Sequence, residues 1–75
     1  MKTPTRPLIG HQLAAARRAA GLTQAHVAQA AGTTQERISR VESGNTAITP
    51  DTLGRIAKAI GVEWVWDKAG PRVVE

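Results

Sequence analysis

The chain reads as an all-α bundle of four main helices followed by a short C-terminal β-strand or hairpin. Three observations predict it: apolar residues recur at helical spacing in four segments, glycines (Gly21, Gly32, Gly44, Gly61) stand at the segment ends, and beyond Gly61 the period shortens to two. With 75 residues, 41% of them hydrophobic, the chain has material for one compact core and not for two domains. It contains no cysteine, so neither disulfides nor thiolate metal sites reinforce that core. Stability has to come from helix packing or self-association.

The first segment starts near Pro7 and sets Ile9, Leu13, Ala16 and Ala20 on one face, with Gly10 weakening only its first turn. Leu22, Thr23 and Val27 form a hydrophobic staple around an N-cap, Thr23 capping a short helix over residues 24–31. Thr33 and Glu36 then match a T-x-x-E capping box that opens the third helix, whose apolar edge is only Ile38 and Val41. So narrow a buried stripe leaves Gln35, Glu36, Ser39 and Arg40 on an exposed polar face. After a loop from Ser43 to Thr49, Thr49 as N-cap and Pro50 at the first position start a fourth amphipathic helix carrying Leu53, Ile56, Ala57 and Ile60. Beyond Gly61, Val62, Trp64 and Trp66 alternate with Glu63, Val65 and Asp67 as in a strand; Lys68 to Pro71 make a turn and Arg72 to Val74 a candidate second strand. The organisation expected is a flexible basic arm over 1–6 bearing Lys2 and Arg6, a helical domain over 7–61, and a strand-forming tail over 62–75 that joins two copies.

The net charge of +4 and pI near 10.8 favour a polyanionic partner. Eight of the ten basic and three of the six acidic side chains lie in residues 1–60, leaving the body at +5 and the tail at −1. The body is therefore where a nucleic-acid surface is expected. Aromatic content of 3%, all of it Trp64 and Trp66, argues against a base-stacking platform for single strands. No apolar run approaches the roughly 20 residues of a membrane span, and the basic N-terminus precedes no continuous apolar region, so a cytoplasmic protein is expected. No cofactor or metal is expected, since His11 and His26 lack a second ligand at metal-binding spacing and read as surface residues. An enzyme is not expected either: no nucleophile–base pair, glycine-rich phosphate loop or carboxylate pair with a pocket is visible.

Two helices joined by a short turn occur in many folds, but the residue pattern narrows the choice. Counting from Gln24, small Ala28 falls where two helices cross closely, Gly32 falls at the turn, and Val27, Ala31, Ile38 and Val41 take the positions that must be buried to fix the helix angle. Arg17 follows Leu13 by four residues and Glu42 follows Ile38 by four, so each stands beside an apolar stripe. There an unpaired charge is costly, and the two are expected to pair.

The stretch LTQAHVAQAAGTTQERISRVESGNT, Leu22 to Thr46, resembles the bacteriophage repressor and Cro family, the xenobiotic-response-element type of helix-turn-helix. Gln24, Ala28, Gly32, Thr33, Gln35, Ile38 and Glu42-Ser43-Gly44 carry the resemblance, and a looser pattern extends over Leu8 to Ile60. It implies a lambda-repressor-like fold that binds double-stranded DNA, with the helix after Thr33 as the reading element, and an Arg17–Glu42 bridge between the first and third helices. It also implies roles for single residues. Gln24 binds a phosphate and braces Gln35, or is simply exposed. Gln35 is the main base reader, its carboxamide matching adenine N6 and N7. Thr34 contacts a thymine methyl or a phosphate, or is an ordinary first-turn residue. Glu36 departs from the uncharged polar residue common in phage members: it accepts from cytosine N4, or only completes the capping box with Thr33. Arg40 grips guanine O6 and N7 or a phosphate. Arg37 meets phosphate or solvent, Ser39 meets phosphate, and the loop residues Asn45 and Thr46 hold the phosphate backbone through their N–H groups or form an ordinary polar loop. Lys2 and Arg6 enter a groove or stay solvated, and Arg55 and Lys58 serve solubility or long-range attraction.

A lone strand leaves its backbone groups unpaired, so Val62, Trp64 and Trp66 are expected to pair across a two-fold axis in a homodimer, similar to the tails of helix-turn-helix antitoxins; an internal hairpin with Arg72 to Val74 is the alternative. Such a dimer binds an inverted repeat with its reading helices about 34 to 36 Å apart and represses transcription. The alternatives are an antitoxin that binds a protein toxin and represses its own operon, and an interaction module with no DNA role.

Overall fold

A computed structural model describes residues 8–74. The order is α1 (Ile9–Ala19), α2 (Gln24–Ala31), α3 (Gln35–Ser43), α4 (Pro50–Ile60), β1 (Glu63–Asp67) and β2 (Gly70–Val74). The expected arm over 1–6 and the helix start near Pro7 lie outside the described residues. Four helices and a terminal hairpin agree with the fold class predicted. Leu13, Val27, Ile38 and Leu53, all but inaccessible, centre a core completed by Ala28, Ala31, Val41, Ile56 and Ile60. Each of the four larger side chains contributes about 1.5–3 kcal/mol by leaving water.

Helix α1 is rotated relative to the face expected. Gly10, Leu13, Ala14 and Arg17 are buried, Ile9 and Ala16 are partly covered, and Ala20 is exposed at the C-cap. The cause is Gly10, where α1 meets the backbone of α3: a Cβ built there would lie 1.7 Å from the Val41 carbonyl oxygen. No side chain fits between these two backbones. Gly10 is a contact point, and its lower helix propensity is offset by the closeness it permits.

The start of α3 also corrects the expected capping box. Gly32 adopts the left-handed conformation at φ 70°, and the Thr33 N–H closes α2 by donating to Ala28 O at 2.9 Å. Thr33 is thereby part of the turn, and the cap passes to Thr34, whose hydroxyl accepts from Arg37 N at 3.2 Å. Glu36 becomes the second helical residue and does not reach back to the cap. Thr34→Ala is expected to cost about 1 kcal/mol, whereas Thr33→Ala costs less; paired denaturant titrations decide, and the reverse ranking would restore the box.

The tail forms an internal hairpin, the alternative to a strand paired only between subunits. β1 and β2 are antiparallel in the register Glu63↔Val74, Val65↔Arg72 and Asp67↔Gly70. The turn is the two residues Lys68 and Ala69, shorter than the expected Lys68 to Pro71, and Asp67 Oδ1 accepts from Ala69 N at 2.9 Å across it. Val62 stays outside the strand because its N–H donates to Ala57 O and ends α4. Two contacts dock the hairpin on the helices. Trp64 lies over Gly54 of α4, and Val73 N–H donates to Gln12 Oε1 of α1 at 2.8 Å.

Candidate nucleic-acid interface

The candidate interface lies on α3, which buries only Ile38, Val41 and Glu42. Gln35, Glu36, Arg37, Ser39 and Arg40 are all exposed. A helix held by one narrow edge leaves its remaining circumference open to solvent. Gln35 stands at the first helical position, where the cap is supplied by Thr34 beside it, which spends one hydroxyl lone pair on the Arg37 N–H. Glu36 Oε1 accepts from Arg40 Nη2 at 3.3 Å, an ion pair one turn apart with side chains 76% and 62% exposed. Ser43 Oγ donates to Arg40 O at 3.0 Å, fixing the last turn.

Of the two loop N–H groups expected at phosphates, that of Asn45 has a partner within the fold. Asn45 N–H donates to Arg40 O at 3.1 Å and closes the helix, so this donor is committed within the fold. Thr46 is exposed, its hydroxyl turned to Ala47 O at 3.5 Å. Between α3 and α4 lies a cleft of about 350 Å³, floored by Ile38 and Ile56 and rimmed by Arg37, Arg40, Thr46 and Thr49. Cationic and hydroxyl groups thus continue from α3 toward the N-terminus of α4.

Beneath this surface, Arg17 and Glu42 tie α1 to α3. Arg17 Nε donates to Glu42 Oε2 at 2.7 Å and Nη2 to Oε1 at 3.0 Å, a two-pronged pair, while Nη1 donates to Leu22 O at 2.7 Å. The side chains are 10% and 8% exposed. Gln24 Nε2 joins them, donating to Glu42 Oε1 at 3.0 Å, so its amide bridges to α3 through Glu42 and not through Gln35. Burial alone would raise the Glu42 carboxyl; the hydrogen bonds from Arg17 and Gln24, with the charges of Arg17 and Arg18, outweigh it and hold the group below its ordinary range. The hydrogen bond to Glu42 raises Arg17 against the opposing effect of burial. No buried side-chain nitrogen or oxygen among the described residues lacks a partner. The first turn of α2, the end of α3 and the last turn of α1 are therefore locked at one point.

Residues 13–66, from within α1 through most of β1, match the helix-turn-helix family model. The chain belongs to the helix-turn-helix family of the phage repressor and Cro type. In this Cro-type helix-turn-helix domain α2 and α3 are the paired helices, and Gly32 to Thr34 are the turn between them. Over 60 residues, 80% of this chain and 78% of the relative, it is 40% identical to an uncharacterized HTH-type transcriptional regulator, y4dJ, of Sinorhizobium fredii. Among the described residues no helix is long and apolar enough to cross a membrane.

Three features of this Cro-type domain were not visible in the residue pattern. Gly10 gave no signal beyond a weakened first turn, Gln12 none as the acceptor for β2, and Gln24 none that its partner is Glu42. Buried glycine at a helix crossing leaves no periodic trace.

Proposed function

We propose that the chain is a homodimeric transcriptional repressor that binds an inverted-repeat operator in double-stranded DNA through α3. The observation that carries this reading is the division of α3 into a buried edge and a polar face of Gln35, Glu36, Arg37, Ser39 and Arg40. Gln35 and Arg40 read adenine and guanine in the major groove, Thr34 lies beside the first base step, and Arg37, Ser39 and Thr46 meet phosphates. Gln24 supports the reading helix through Glu42, and its backbone at the start of α2 faces a phosphate. Residues 1–6 supply a basic arm, and residues 62–75 supply the dimer contact.

The hairpin register supports that contact. Asp67↔Gly70 and Val65↔Arg72 alternate with Trp66↔Pro71 and Trp64↔Val73, and the Val73 N–H leaves the ladder for Gln12. In such alternation the backbone groups of Trp64 and Trp66 point to the other edge of β1, where the two-stranded sheet has no further strand among the described residues. A second copy pairs there, with half-exposed Trp66 beside the axis.

Selection of bound sequences from random duplex DNA, followed by titration at several salt concentrations, tests the reading. An inverted repeat is expected to emerge, bound by a species that sediments as two chains. Gln35→Ala and Arg40→Ala should each cost about 1–3 kcal/mol on that operator and relax the preference at one position. Failure to enrich any inverted repeat would sink the repressor, and a single-chain species on the DNA would sink the dimer.

A further inference from the structure

The position of the cap on α3 has a chemical effect on its exposed face. With Thr34 as cap, Glu36 is released from any backbone role, and its carboxylate engages Arg40 one turn on. Two of the charges presented by α3 therefore neutralise each other in the free protein. Arg37, the next residue, forms no ion pair with a described residue.

Phosphates line every duplex and carry no sequence information, so an unrestrained arginine binds any DNA. A phosphate also takes both prongs of a guanidinium, but to reach Arg40 it must bring its negative charge beside the Glu36 carboxylate. The O6 and N7 edge of guanine takes both prongs without adding a charge there. The carboxylate itself is repelled by a phosphate backbone drawn close without a compensating base contact. We propose that Glu36 is a specificity-determining positioning residue that acts through Arg40, withholding its guanidinium from phosphates on arbitrary DNA and presenting it to guanine in the major groove. This rests on the reading of α3 as the DNA-reading helix.

A double-mutant cycle on the full chain tests it. The selected operator and a scrambled duplex of equal length and composition are titrated against wild type, Glu36→Gln, Arg40→Gln and the double variant at several salt concentrations. Glu36→Gln is expected to bind the scrambled duplex about two- to tenfold tighter, with a salt slope steeper by about 0.9 for one added phosphate contact. Operator affinity rises less, so the specificity ratio falls. In the Arg40→Gln background, Glu36→Gln leaves ratio and slope nearly unchanged. Both side chains are exposed, so all variants should melt within a few degrees of wild type, roughly the range of harmless surface changes. A ratio unaffected by Glu36→Gln overturns the proposal, as does an equal effect with and without Arg40, the signature of Glu36 touching a base directly. If wild type does not distinguish operator from scrambled duplex, the reading of α3 fails and takes this proposal with it. A recovered operator with an additive cycle defeats the proposal alone.

Discussion

Gly10→Ala is expected to destabilise the fold by about 3 kcal/mol or more, lowering the melting temperature by roughly 12–24 °C for a domain of this size. Ordinary helix preferences predict the opposite sign, since alanine is favoured over glycine by about 1 kcal/mol in a helix interior. Steric overlap decides: the new methyl would stand 1.7 Å from the Val41 carbonyl oxygen and 2.8 Å from its carbon, both backbone atoms that no rotamer change moves. α1 and α3 would have to separate, loosening Leu13 and Ile38 on either side of the crossing. Gly54→Ala provides the control, because a methyl there would sit 3.6 Å from Trp64 Cζ2, an ordinary contact. That variant should melt at or above the wild-type temperature. Circular dichroism melts of both proteins check the contrast, and equal stability of Gly10→Ala and wild type would refute the close crossing.

Glu42→Ala carries the second large effect, a loss of about 3–5 kcal/mol, because it leaves the Arg17 guanidinium buried without its counter-charge. Gln24 loses its acceptor in the same step. Removing both charges is gentler. Arg17→Met with Glu42→Leu should recover much of the loss, since a buried ion pair exchanged for apolar side chains is often neutral. If the double variant were as unstable as Glu42→Ala, lost packing and not an orphaned charge would be responsible. The pair also sets an acid limit. Glu42 titrates below its ordinary range in the folded state, so near pH 4 the unfolded chain binds more protons than the folded one. Its stabilisation is complete above the unfolded value of about 4.3 and is lost as the pH falls through the lower folded value. Glu42→Gln should flatten that part of the stability profile, measured by urea titration between about pH 3 and 6.

Much of this fold is legible in the residues because the signals are local. Thr23 and Thr49 mark helix starts by accepting an N–H three residues on, Pro50 marks one by its fixed φ and missing N–H, and Gly32 and Gly61 mark ends by conformation alone. The Arg17–Glu42 pair is long-range but still readable, since each charge sits four residues from an apolar position and has only the other to meet. What escapes is decided by competition between neighbours or by three-dimensional closeness. Thr33 and Thr34 offer equivalent hydroxyls, and only the donation of Thr33 N–H to Ala28 O excludes the first. Gly10 owes its place to the approach of a backbone thirty-one residues away, for which no spacing rule exists. The same holds for Gln12, whose partner Val73 lies 61 residues along the chain.

The narrow buried edge of α3 has a consequence for how such a protein changes over generations. Ile38, Val41 and Glu42 tie the helix to the rest of the molecule, while Gln35, Glu36, Arg37, Ser39 and Arg40 leave the core untouched. Substitutions at those five positions should alter folding free energy by no more than about 0.5 kcal/mol each. On the proposed reading of α3, recognition can therefore be rewritten without rebuilding the scaffold. A duplicated copy of the gene would then be free to drift toward a different DNA sequence while remaining folded at every intermediate step.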